Sequence, residues 1–124
     1  SPEQRQLLLD IVADTPTGQH SLGRSADFHG AIGQSTDSHV LAVVIASMHH
    51  VLGWHAPGEQ LSSSDIEATR QAHRRIAEAI RDGDGAAAAD AMRVHVDEFE
   101  RLLEEQGRLD EPIIPRTRWL QRGH

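Results

Sequence analysis

An all-α antiparallel bundle of about five to six helices is the architecture this sequence predicts, and three observations carry it. Apolar residues recur at three- and four-residue steps in successive segments, the rhythm of one helix face. The segments are separated by residues that start or stop helices, namely Ser, Asp, Pro and Gly. The one segment rich in Val and Ile, 38–54, is too long and too well capped for a strand.

The first helix starts at Ser1, which can cap it, with Pro2 in the first turn and Gln4 completing a capping box. Leu7, Leu8, Ile11 and Val12 form its apolar face, and 15–18, with Pro16, ends it. A second helix over about 19–34 carries Leu22, Ser25, His29 and Ile32 on a single stripe. Residues 35–37 then turn the chain, and Asp37 can cap the third helix, which its composition marks as the most buried. After a loop over 55–64, Ser63 or Ser64 can cap the fourth helix, whose stripe is Ile66, Thr69, His73, Ile76 and Ile80. Asp82, Gly83 and Asp84 supply a stop and a new start within three residues, so the fourth and fifth helices form an antiparallel hairpin. The fifth helix, about 85–106, presents Ala88, Met92, His95, Val96, Phe99, Leu102 and Leu103 inward, and Gly107 ends it. The bundle thus occupies 1–107, and 108–124 is read as an extended tail that docks through Ile113, Ile114 and Trp119.

Composition excludes several functions. A formal charge of −7 has the wrong sign for a surface that holds a nucleic-acid backbone. Without cysteine there is neither a disulfide framework nor a thiolate metal site. The longest apolar run, 40–48, is too short to span a bilayer, and the amino terminus lacks a signal-peptide pattern. The expectation is a cytoplasmic protein without membrane contact. The blunt helix start at Ser1 suggests a piece of a longer chain.

Three histidines carry the chemistry. His29, His73 and His95 each sit on the apolar stripe of a different helix. His73 lies ten residues before Gly83 and His95 twelve after it, so both stand roughly 15–18 Å from the hairpin turn and meet at one height. Buried imidazoles without partners each cost about 1–3 kcal/mol, whereas a divalent ion satisfies one nitrogen per ring. Three neutral nitrogens with open positions suit zinc or nickel. His20, His39 and His124 read as surface residues. His49, His50 and His55, near Trp54, read as an exposed helix end, although His50 could line a cavity.

The segment Phe28-His29-Gly30-Ala31-Ile32, then Ser35-Thr36-Asp37 and Leu41, then His73 with Ile76, Ala79, Ile80, Gly83, Asp84, Ala88, Met92 and His95, resembles the effector-binding FCD domain of GntR-family transcriptional regulators, in the FadR-like subgroup. The resemblance covers about 1–103. It implies an all-helical bundle that senses a small molecule, usually an organic acid, and acts as a homodimer through an amino-terminal winged helix that binds DNA. That winged helix and the first helix of the family's bundle lie outside this sequence. The family's metal is commonly held by an aspartate four residues before the first histidine plus three histidines, at positions matched here by His29, His73 and His95. The aspartate position is Ser25, and Asp27 lies on roughly the opposite helix face.

The expected mechanism follows from that resemblance. A small carboxylate effector coordinates the metal and favours one helix arrangement over another by its differential affinity. Ser25, through its room or its hydroxyl, and Arg70, one turn before His73, are the candidate effector contacts. This reading is a sensor and not an enzyme. A three-histidine metalloenzyme is the rival of another class, with Glu98 the nearest candidate base. A metal-free structural or dimerising bundle is the third reading.

Overall fold

A computed structural model describes residues 1–14, 21–52 and 62–111, leaving the side chains of 21–26 and 51–52 outside that description. Its elements are α1 (Pro2–Ala13), α2 (Ser21–Ser35), α3 (His39–Leu52), α4 (Ser63–Arg81) and α5 (Gly85–Glu105), with no strand among the described residues. The all-α class is as the sequence predicts. None of these helices is long and apolar enough to cross a membrane.

Local signals set the helix ends. At α1 the Ser1 hydroxyl accepts from the Gln4 N–H at 3.3 Å and the terminal amine donates to Gln4 Oε1 at 2.7 Å, closing the expected capping box. Two caps differ from expectation by one residue or more. Ser38 rather than Asp37 starts α3, its hydroxyl accepting from the Leu41 N–H at 3.2 Å. Ser62 rather than Ser63 or Ser64 starts α4, because Ser62 and Asp65 close a reciprocal box while Glu67, the box partner Ser64 would need, is held by Arg70.

The hairpin turn forms as predicted, with Gly83 in the left-handed region at φ 74°. The Gly83 N–H donates to the Ile80 carbonyl and the Asp84 N–H to the Ala79 carbonyl, the two bonds of a Schellman stop. Asp84 then caps α5 by accepting from the Ala87 N–H at 2.9 Å. α5 ends in the same way at Gly107, φ 66°. The chain over 108–111 closes a further turn, with the Glu111 N–H on the Arg108 carbonyl, so the expected extended run does not begin at 108. Ile113, Ile114 and Trp119 lie outside the described residues, as do Trp54 and His55.

Packing follows the chain in space. α1 lies against both α2 and α4, α4 against α5, and α2 against α3. The buried core is Leu8 and Val12 of α1, Phe28 of α2, and Ile76 and Ala77 of α4, with Leu9, Ile11, Ala31, Ile32, Ile80, Ala91 and Met92 packed around it. Leu7, expected on the apolar face of α1, is half exposed.

The largest departure is α3. Expected to be the most buried helix, it leaves Val40 74%, Val43 64% and Met48 56% exposed. Only Ala42, Ile45 and His49 of its described side chains are even half-buried, a stripe at three- and four-residue steps that meets α2. Contact there is close: a Cβ on Gly33 of α2 would come within 3.1 Å of Ile45 Cδ1 and 3.3 Å of Ala42 Cα. α5 departs less. Ala88, Met92, His95, Leu102 and Leu103 are half-buried as expected, whereas Val96 and Phe99 are exposed, because the face α4 covers is narrower than the apolar face of α5.

Candidate metal centre

α2, α4 and α5 bring His29, His73 and His95 to one point. One ligand nitrogen from each lies within 4.8 Å of the other two. His73 and His95 meet as the hairpin predicts, with their Nε2 atoms 3.1 Å apart. The ring of His29 stands edge-on to His73 at 5.0 Å and parallel to His95 at 5.4 Å. His73 is 4% exposed, and Phe28 lies flat on it at 4.4 Å between ring centres.

This apolar wall decides the protonation state. Burial lowers His73 to about 3, with the neighbouring imidazoles of His29 and His95 adding to the effect. Burial likewise lowers His29 to about 4, helped by His95 and His49, and pushes His95 down as well. All three rings are therefore neutral at pH 7, the form in which an imidazole nitrogen can donate a lone pair to a metal.

The donor set fits a divalent ion. An ion about 2.0–2.1 Å from each nitrogen holds neighbouring ligands about 3.3 Å apart in tetrahedral and about 2.9 Å apart in octahedral geometry. The 3.1 Å between His73 and His95 falls between those edges. Two lone-pair nitrogens at that distance repel each other unless a proton or a cation lies between them.

The remaining candidates sit elsewhere. Arg70 spends its guanidinium on Glu67 of its own helix, Nε to Oε2 at 2.8 Å and Nη2 to Oε1 at 2.7 Å, and holds that carboxyl at about 2. The side chain of Ser25 is outside the described residues. Asp27 is exposed, as its helix position requires. Glu98 is exposed and paired with Arg101 at 3.1 Å, which removes it as a base beside the cluster. Among the described residues no carboxylate joins the three histidines.

His49 is the residue the sequence reading passed over. Assigned there to an exposed helix end, it is half-buried and stacks on His29, ring centres 5.3 Å apart and planes 27° apart. Spacing puts it in line with Ala42 and Ile45, but α3 is apolar on every side and nothing along the chain singles that line out. His39 and His50 are exposed, while His20, His55 and His124 lie outside the described residues.

A family profile of the FCD domain matches residues 3–98. This chain belongs to the FCD domain family. FCD domains are regulatory ligand-binding domains rather than enzymes, and the three-imidazole cluster of this FCD domain lies wholly within the matched residues. No curated protein and no solved structure matches the chain at a significant level.

Proposed function

We propose that this FCD domain is a metal-dependent sensor of a small organic acid, the regulatory part of a GntR/FadR-like transcriptional regulator. The observation that carries this reading is the convergence of three neutral, buried imidazoles from three helices. His29, His73 and His95 would hold a divalent ion, zinc or nickel, and the bound ion would offer vacant positions to a carboxylate oxygen. Phe28 keeps water from the back of His73 and holds its ring plane. Ser25, at the family's aspartate position, leaves the protein ligand set uncharged, so an anionic effector would supply the negative charge. Arg70 would serve the effector only by exchanging Glu67 for its carboxylate. The regulator would work as a cytoplasmic homodimer, and effector binding would control a winged helix outside this chain. With its charge of −7, this domain would not itself hold DNA.

Isothermal titration with Zn²⁺ and Ni²⁺ tests the reading. The wild-type domain binds one ion, and the His29→Ala, His73→Ala, His95→Ala triple variant binds none. Once loaded, the domain gains melting temperature with some member of a panel of small organic acids. No binding by the wild type would sink the metal, and no shift across the panel would sink the sensor.

A second reading has one observation in its favour. The His73 to His95 contact also satisfies two nitrogens by direct hydrogen bonding, as in a metal-free structural bundle. A His95→Phe variant separates the two: it abolishes metal uptake under the first reading, and under the second it merely lowers stability.

A further inference from the structure

Four imidazoles crowd this region, and the metal reading uses three. His49 stands outside the group of convergent nitrogens, yet its ring is stacked on His29 at 5.3 Å. It comes from α3, the one helix with no described side chain in the buried core or packed around it, through the stripe that its described residues turn to α2. Its own orientation is anchored: Nδ1 lies 2.9 Å from the Ile45 carbonyl, and because a carbonyl oxygen only accepts, Nδ1 carries the proton and the ring is held to its helix. Ile45 is in turn pressed against Gly33, one turn after His29. The chain of contacts Gly33, Ile45, His49, His29 thus closes a loop between two helices, with a fixed ring at its end.

We infer that His49 is a positioning residue of the metal site: its anchored ring holds the plane of His29, so that the nitrogen of His29 is aimed at the point shared by His73 and His95. The inference rests on the metal reading. His29 needs such support more than its partners do. His73 is clamped closely by Phe28 at 4.4 Å and His95 at 4.6 Å, whereas the rings of His73, His95 and Phe28 stand farther from His29, at 5.0, 5.4 and 5.5 Å. His29 is less buried than His73, and an imidazole ligand free to turn about its Cβ–Cγ bond loses the alignment on which affinity depends.

Three substitutions test this, His49→Ala, His49→Leu and His49→Phe. Each is compared with the wild type for Ni²⁺ affinity, for the visible spectrum of bound Co²⁺ and for melting temperature in a chelator. His49→Phe keeps a flat ring without a nitrogen and is expected within about threefold of wild-type affinity, with an unchanged Co²⁺ spectrum. His49→Ala and His49→Leu lose the flat ring and are expected to bind about tenfold or more weakly, the range for residues that orient metal ligands. Leu fills the same space, so it reports on the ring even where Ala disturbs the fold. Equal affinity in Leu and Phe would overturn the inference, as would a Phe variant as weak as Ala with a changed spectrum, which would make His49 a ligand. Failure of the wild type itself to bind metal removes the metal reading first and this inference with it.

Discussion

The α4–α5 hairpin and α3 make an instructive pair. α4 is polar on average, with arginines and acids along its outer face, yet it buries His73, Ile76 and Ala77 almost completely. α3 has no Asp, Glu, Lys or Arg from His39 to Leu52, and none of its described side chains belongs to the buried core. Burial therefore follows the arrangement of apolar residues and the number of neighbours, and not the amount of apolar surface. α4 meets α1 and α5 along its length and Phe28 and His29 of α2 at His73, with a narrow stripe that matches them, whereas the described side chains of α3 turn one stripe to α2 and its apolar residues lie all round.

The sharpest way to break this comparison is to empty the hairpin side. Phe28→Ala removes a fully buried ring that packs the core and lies flat on His73, and is expected to cost about 3–5 kcal/mol in urea unfolding. A loss below 1 kcal/mol would mean that the core is not where it is placed here.

Acid comes next in size. In the metal-free folded chain burial holds His29 at about 4 and His73 at about 3, against 6.5 for a solvated ring. Above pH 6.5 both folded and unfolded chains carry neutral rings. As pH falls below that value, the unfolded chain takes up protons that the folded chain refuses, so stability declines until the folded values are reached. The expected loss between pH 7 and pH 5 is on the order of 2–4 kcal/mol, read by urea titration in a chelator. Adding Ni²⁺ at pH 7 should steepen the dependence, because protons then also compete with the ion. A flat profile would show that the rings are open to water.

Backbone substitutions sharpen the contrast at a smaller scale. Gly83→Ala forces a side chain into the left-handed region at the hairpin turn and is expected to cost about 1–2 kcal/mol. Gly30→Ala, in a helix with open space around its Cα, should raise stability by about 0.5–1 kcal/mol. If both lose stability alike, the turn is not the reason for Gly83.

The smallest effect belongs to α3. Val43→Ser on its exposed face is expected to change the unfolding free energy by no more than about 0.5 kcal/mol. A cost above 2 kcal/mol would show that this face is covered in solution.

Much of the site is legible in the sequence. His73 and His95 could be set at one height because a hairpin with a marked turn has only one register, and their nitrogens do meet. His29 could be assigned to the inward face from its stripe, but not to the same height, since the loop before α4 leaves the axial offset of α2 free. His49 was not legible at all. Its helix carries apolar residues on every side, so no periodicity marks the face that turns to α2. The close approach at Gly33 that selects the face is a contact between helices.

By itself the sequence determined what depends on neighbours along the chain: where helices start and stop, which residues share a stripe, the turn at Gly83, and the absence of thiolate or basic surfaces. Only the tertiary structure decided which stripes find a partner, and hence that α3 stands outside the core, that Phe28 and His49 flank the imidazoles, and that Arg70 is engaged with Glu67. Capping and periodicity are local and are written in spacing, whereas burial is a competition among all helices for the same few covering faces.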